Sequence, residues 1–576
     1  LHQFFTILGI ATVLECGSAF GQAPVFGQAF DIDQKTLLSG SYPLPKVLES
    51  GGQFWTTPFT VQDGFGEGAK GPRSAQRAAM YPNNPSFPFL RVNGLDSQSC
   101  YECHNSIGSY VPADSTSGAL IRKPGSVGGS AGFNSDAFIN PLFPDPLTLF
   151  VRNPPHVFGV GYVQQLAYEM TLDLRAAQAQ AQVNAKAAPG VKQSIKLSSK
   201  GTDFGTYSTT YDAVKKSFVD DISQLSGVSK DLTVRPLQWK GIASSVRHFV
   251  RDALDFHFSM QAVEKVGVDA KGNPKDCDQD GVVNEVTVGN LTAITAFVGL
   301  TRPPTQIVPA GLEKQIALGA QLFAGLGAPQ VPGSKQMCAT CHTPSLPLNQ
   351  AKLIIETPEV PKGQLCPSEV ALPALTDPVS DRSKLAVHKI FEILKPKIKP
   401  AKDLQAAHEA LKKTLITTSL SASLPQSFVV DLTRPDLGSP TSYALPRLPE
   451  NKDGSVTVPL FSDLKRHDMG AGLSDPDKKP DGTSYPQQGT DVDGISVPPR
   501  LFLTRPLWGV ADTGPWLHDG RARSLLEAIQ LHSSEGSEAN DVIKAFNALT
   551  QEQKDAIIAF LLSLRLPLQQ GLAAVK

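Results

Sequence analysis

The sequence predicts a mainly α-helical fold in two similar halves, with long irregular loop insertions and a few short strands. Apolar residues recur at helical spacing over Leu312 to Phe323, Val246 to Val266 and Asp541 to Leu564. Two pairs, Ser524 with Glu527 and Thr550 with Gln553, have the form of a capping box, in which two side chains satisfy backbone N–H groups left free at a helix start. Between the helical stretches the period is lost. Residues 105–150 are rich in Gly, Ser and Pro, 185–235 mix polar and β-branched residues, and 345–500 are Pro-rich with one helical patch near Lys384 to Leu415. These segments read as loops wrapped on the two halves.

Length and charge bound the class. A chain of 576 residues can bury large cores, and at ~150 residues per domain it allows three or four units. We read two domains, 23–300 and 301–576, the second with its Pro-rich insertion at about 345–455. Lys plus Arg is 53 against 54 for Asp plus Glu, so no basic excess attracts nucleic acid or anionic lipid. The apolar start, Leu1 to Leu14, followed by small residues at Ala19, Gly21 and Ala23, reads as a secretion signal over 1–22. It lacks the basic first residues of such signals and is shorter than a membrane span of ~20 apolar residues. The expected location is the periplasm or outside the cell.

Two pentads decide the chemistry: Cys100-Tyr-Glu-Cys103-His104 and Cys338-Ala-Thr-Cys341-His342. Cysteines at i and i+3 on one helical turn reach the two vinyl carbons of a haem as thioethers, and the histidine at i+4 turns under the iron. Four of only seven cysteines stand in these pentads, and neither pentad has the second cysteine pair of a four-ligand zinc site. The halves are therefore read as cytochrome c-like domains, each with one covalent haem c. Each pentad is followed by a similar phrase, Arg152-Asn-Pro-Pro-His-Val-Phe-Gly-Val-Gly161 and Thr504-Arg505-Pro-Leu-Trp508-Gly-Val-Ala511, as a duplication would give. Arg152 and Arg505 are candidates for haem propionates, because guanidinium grips carboxylates.

Of the remaining cysteines, Cys16 falls within the signal. Cys277 and Cys366 could bridge in an oxidising compartment, but spacing does not fix their distance. Around Cys277, Asp276, Asp278 and Asp280 alternate ahead of Gly281 as in a calcium loop, although Thr287 stands where the bidentate glutamate belongs.

The run Pro459 to Gly470 with its His467-Asp-Met, then Arg505-Pro-Leu-Trp-Gly-Val, then Trp516-Leu-His518-Asp-Gly520-Arg to His532, resembles the di-haem oxidoreductase (peroxidase-like) family. That family belongs with the bacterial di-haem cytochrome c peroxidases, the di-haem enzyme that matures methylamine dehydrogenase, and the di-haem rubber oxygenases. The resemblance implies that the C-terminal haem passes electrons and takes its sixth ligand from the helix after the His-Asp-Gly phrase. That position is His532, where the peroxidases carry methionine. Imidazole donates more strongly than thioether, so this exchange lowers the reduction potential, and a six-coordinate iron holds no substrate. For His467 and His518 a structural hydrogen bond near the haem is expected. Trp239 matches the tryptophan between the haems.

Twenty residues further, where the peroxidases place a proton-moving glutamate, stands Ser259, a poor acid or base. His257 could replace that glutamate or bind the iron, Met260 could also ligate, and Glu264 lies one turn on. Phe256 and Phe258 would form a hydrophobic distal wall.

With no comparably clear sixth ligand after its pentad, the His104 haem is the expected reaction centre. The reading is a secreted di-haem oxidoreductase in which electrons pass from the His342/His532 haem by way of Trp239 to the His104 haem, where hydrogen peroxide is reduced. The catalytic candidates are His257, Ser259 and Trp239. The alternatives are an oxygenase acting with dioxygen on an apolar substrate, and a non-catalytic electron-transfer cytochrome. The implied partners are a small redox donor protein or quinol-linked cytochrome and a small oxidant; homodimers are common among the peroxidases.

Overall fold

The computed structural model describes residues 30–66, 68, 98–104, 153–326, 337–363, 366, 398–410, 427–433, 447–475 and 497–567, and the backbone of Leu90–Arg91, Asn134–Ile139 and Leu147–Arg152. The expected signal, Cys16 and most of the 384–415 patch lie outside the described residues. The helices that matter here are α1 (Leu44–Thr56), α2 (Cys100–Cys103), α3 (Val160–Ala187), α4 (Val246–Phe258), α5 (Val288–Gly299), α6 (Glu313–Phe323), α7 (Leu525–Gln530), α8 (Asn540–Asn547) and α9 (Gln551–Ser563). Among the described residues no helix is long and apolar enough to cross a membrane.

The fold is mainly α, as expected, and the helix starts follow their caps. Thr550 and Gln553 form the reciprocal box at α9. At α7 the Ser524 hydroxyl accepts from Glu527 N, but the Glu527 carboxylate takes the N–H of Arg523 rather than that of the cap. The 246–266 segment is broken where Ser259 turns left-handed (φ 55), so α4 ends at Phe258 and a short turn, Val263–Val266, follows.

Two segments differ from expectation. Residues 160–187 form one 28-residue helix, and 193–221, expected to be loop with at most a few short strands, form an antiparallel sheet of β1 (Gln193–Ser199), β2 (Thr202–Asp212) and β3 (Ser217–Asp221). Lys200 and Gly201, both at positive φ (48° and 85°), make the two-residue turn that joins β1 to β2 with the twist antiparallel strands favour. The insertion also carries strands, among them β4 (Leu346–Leu348) and β5 (Lys352–Glu356). Asn134–Ile139 pairs with Leu147–Arg152 in the stretch expected to be loop.

Three cores hold these elements. The largest packs α3 and α5 against β1, β2, β4 and β5, and so takes residues from both sides of position 300. A second encloses α1, α4 and α5, and a third encloses α6 to α9 with Trp516. Helices α1 and α5 pack backbone to backbone: a Cβ on Gly51 would stand 2.1 Å from Ala293 O. That close contact fixes the floor on which α4 and the first pentad rest.

Candidate haem sites

At the second pentad, His342 Nδ1 bonds Phe461 O (3.2 Å) and His532 Nδ1 bonds Ala528 O (2.6 Å). With each Nδ1 on a carbonyl, each Nε2 is left to face a metal. The ring centres of His342 and His532 lie 6.5 Å apart. Two metal–imidazole bonds of ~2 Å and two ring radii of ~1 Å span ~6 Å, so the separation fits one iron. Both rings line a cavity of about 240 Å³ together with Cys338, Cys341, Trp516 and His518. Burial pulls His342 down to about 4 and lowers His532, which favours the neutral rings that metal ligation needs.

His467 does not compete for the iron. Its Nε2 faces Asp463 (2.8 Å) and its Nδ1 faces Glu538 (2.7 Å), with the Cys341 sulfur 3.8 Å away. Burial works against its charge, but these partners prevail and hold it up to about 12. His518 stacks on Phe502 (ring centres 4.5 Å) and faces Asp475 at 3.4 Å.

At the first pentad, the His104 Nδ1 bonds Pro155 O (2.8 Å), again freeing Nε2, and burial lowers the ring to about 4. Trp55 lies 6.0 Å from His104, and Phe249 on α4 lies 6.4 Å from it, edge to face. Phe249 therefore stands about as far from His104 as His532 does from His342. His104 and Phe249 line a mostly apolar cavity with Val157, Leu237, Val246 and Trp508.

None of the four pentad cysteines is in a disulfide, and burial pushes Cys100 and Cys338 up to about 12. Unionised thiols on one turn beside a neutral imidazole suit covalent haem.

The two sites are approached by the same turn. Leu237 bridges Ala243 as Trp516 bridges Ala522. Gln238 and Leu517 are left-handed (φ 64 and 73), as are Gly241 and Gly520 (φ 60 and 69). Ser245 then caps α4 through His248 N, and Ser524 caps α7 through Glu527 N, each at 3.1 Å. In this frame Trp239 corresponds to His518, Phe249 to Ala528, and Ala253 to His532. The earlier phrases also match, because left-handed Gly159 and Gly509 (φ 70 and 81) each begin a helical turn. They meet directly: His156 Nε2 bonds Trp508 O (3.0 Å), and a Cβ on Gly159 would strike the Trp508 ring at 2.9 Å.

Trp239 and Arg505 stand between the cavities. Trp239 lines the larger one, while its neighbours Leu237 and Gln238 line the other. Its indole N–H donates to Asn153 O (2.7 Å), and His518 lies edge to face at 6.3 Å. Arg505 lines both cavities, its guanidinium 5.4 Å from the Trp239 ring centre, and burial lowers it to about 10.

Residues 427–564 match the family model described as "Di-haem oxidoreductase, putative peroxidase". Over these residues the chain is similar to that family, in line with the resemblance read from the sequence. The match takes in His467, Arg505, His518 and His532 and stops short of both pentads. No curated protein and no solved structure matches the chain. The family's description makes haem the cofactor and oxidoreduction the class of chemistry.

The other expected residues fall elsewhere. Ser259 is buried as the left-handed cap of α4, and His257, also outside the His104 cavity lining, is felt at His104 only as a minor electrostatic influence. Met260 and Phe258 belong to the core of α1, α4 and α5, and Glu264 is bound by Arg247 at 2.7 Å. The side chains of Arg152 and Phe256 lie outside the described residues. Cys277 and Cys366 form a disulfide, Cα to Cα 5.3 Å. Beside it Asp276, Asp278 and Asp280 cluster; burial and the neighbouring Asp280 push Asp278 up to about 7. Sequence reading missed Phe249, Trp55 and His156. The signal for Phe249 was its place four residues past Ser245, once that serine is aligned with Ser524.

Proposed function

We propose that the protein is a di-haem c-type oxidoreductase with one saturated and one open haem, acting on hydrogen peroxide in an oxidising compartment. One observation carries the asymmetry. The position corresponding to His532 in the repeated turn is Ala253, which has no ligand atom, and one turn before it stands Phe249, equally unable to bind iron. When bound, the haem held by Cys338, Cys341, His342 and His532 supplies electron transfer, and the haem held by Cys100, Cys103 and His104 supplies the site where an oxidant takes up electrons.

The chain's own residues set the conditions. Phe249 and Trp55 exclude bulk water from the His104 side, and the carbonyls of Pro155, Phe461 and Ala528 fix the ring planes of His104, His342 and His532. Trp239, anchored on Asn153 O, gives the path between the sites, and Arg505, facing both cavities, holds propionates. Electrons arrive from a small redox protein at the C-terminal site. The Cys277–Cys366 disulfide supports a location outside the cytoplasm.

The apolar lining beside His104 favours a second reading, oxidation of an apolar substrate by dioxygen. Low-temperature electron paramagnetic resonance on the oxidised protein should show one high-spin and one low-spin haem; two low-spin signals that persist after partial reduction sink both enzyme readings. Peroxide consumption with a reduced c-type donor, set against oxygen uptake with an apolar substrate, then separates the two.

A further inference from the structure

The acidic loop beside the disulfide takes no part in either haem site. Asp276, Asp278 and Asp280 each bring a carboxylate oxygen within 4.8 Å of the others. Two of the three are spoken for by their own turn: Asp276 accepts from Gln279 N (2.7 Å) and Gly281 N (3.0 Å), and Asp280 accepts from Val282 N (2.7 Å). Asp278 is different. It is 1% exposed, and neither of its oxygens has a hydrogen bond of regular geometry, the Gly68 amide being only a minor influence on its carboxyl. A carboxylate stripped of water and left short of donors is among the costliest groups a fold can bury, unless a cation takes the place of the missing donors.

We propose that Asp276, Asp278 and Asp280 bind a calcium ion, with Glu285 completing the acidic shell. The donor set is oxygen only, since the one sulfur in the loop, that of Cys277, is tied up in the disulfide, and such a set selects hard cations. Gly281 at φ 96 allows the chain to fold back on itself between the aspartates and Glu285. Glu285 is 3% exposed and accepts from Gln261 N at 2.6 Å.

The ion would brace the far end of the first haem site. A Cβ on Gly64 would fall 2.2 Å from Glu285 Cγ, and one on Gly68 would fall 2.0 Å from the Gln279 carbonyl carbon, so both glycines lie against the loop. Gly66 N in turn donates to Phe258 O (3.0 Å), the last residue of α4, which carries Phe249. Calcium thereby ties these glycines, the disulfide and the distal helix into one unit.

The test uses the full haem-loaded protein, stripped with chelator and titrated with calcium chloride alone in a calorimeter, with thermal unfolding measured beside it. One calcium per chain should bind, with Kd between ~10⁻⁷ and ~10⁻³ M, and raise the melting temperature. Asp278→Asn, which keeps the shape and removes the bare charge, should weaken binding at least ~10-fold. Without calcium it should melt no lower than the wild type. Asp453→Asn, in an exposed turn, should change nothing. No uptake up to ~1 mM, as a proton shared between Asp276 and Asp278 would give, overturns the proposal. So does magnesium binding as tightly as calcium, or Asp278→Asn binding calcium as the wild type does.

Discussion

Ala253→His should close the first haem site. Eight residues separate Ser245 from Ala253, as eight separate Ser524 from His532, and the two capping serines have the same backbone angles within a degree (φ −139, ψ 157 against φ −138, ψ 158). Phe249, one turn earlier on the same face of α4, already lies 6.4 Å from His104. An imidazole at 253 therefore hangs on the side of His104 where the iron is expected. An intramolecular bond favoured by about 2.7 kcal/mol would leave ~1% of sites open, so peroxide turnover should fall ~100-fold. In electron paramagnetic resonance the high-spin signal should give way to a second low-spin signal, with the first low-spin signal unchanged. Ala253→Leu has similar bulk and no ligand atom, and it should keep the high-spin signal. If Ala253→His keeps both the high-spin haem and its turnover, the two turns do not address their haems in the same way, and the asymmetry argument fails.

Other variants probe the relay and the frame. His532→Met should leave the C-terminal haem low-spin but raise its reduction potential in a spectroelectrochemical titration, since a thioether donates less than an imidazole. Replacing Cys277 and Cys366 by serine opens a loop of 89 residues and should cost about 4 kcal/mol in urea unfolding, with haem content unchanged. His467→Gln leaves the buried Asp463 without its charged partner, at a cost on the order of 3 kcal/mol near pH 6. Because the folded pKa of His467 is raised, its contribution is complete below about pH 6.5 and is lost as the pH climbs above that. The gap between wild type and His467→Gln in denaturant midpoint should therefore shrink from pH 6 to pH 9.

What the sequence could disclose depended on how local the constraint was. A pentad on one turn is local, and so is a capping serine; these read directly, as did the helices at 313–323 and 540–563, whereas His532 came from the family resemblance. Helix α3 escaped because it is buried on several sides, between the sheet, α5 and the insertion strands, which blurs the one-sided apolar period. Its Ala- and Gln-rich second half still carried helix propensity. The Lys200-Gly201 turn was visible as a glycine but not as a hairpin without its partners. Counting twenty residues from Trp239 located Ser259 along the chain but could not say that α4 ends at Phe258 and turns that serine into a buried cap. Phe249 looked like any core aromatic until His104 was placed beside it.

The repeated turn shows how one frame would serve two unlike haems, as proposed. Where the C-terminal turn has His518, Ala528 and His532, the N-terminal turn has Trp239, Phe249 and Ala253. On the proposed reading, the exchange of His532 for Ala253 leaves no sixth ligand, and the exchange of Ala528 for Phe249 fills the space beside it with a ring that repels water and cannot bind iron. At the third position Trp239 and His518 face each other across 6.3 Å, so the two turns touch where the proposed electron path would cross. Duplicated backbone with diverged side chains keeps the two sites in register. On the proposed reading, differences at these positions separate a relay from a reaction centre.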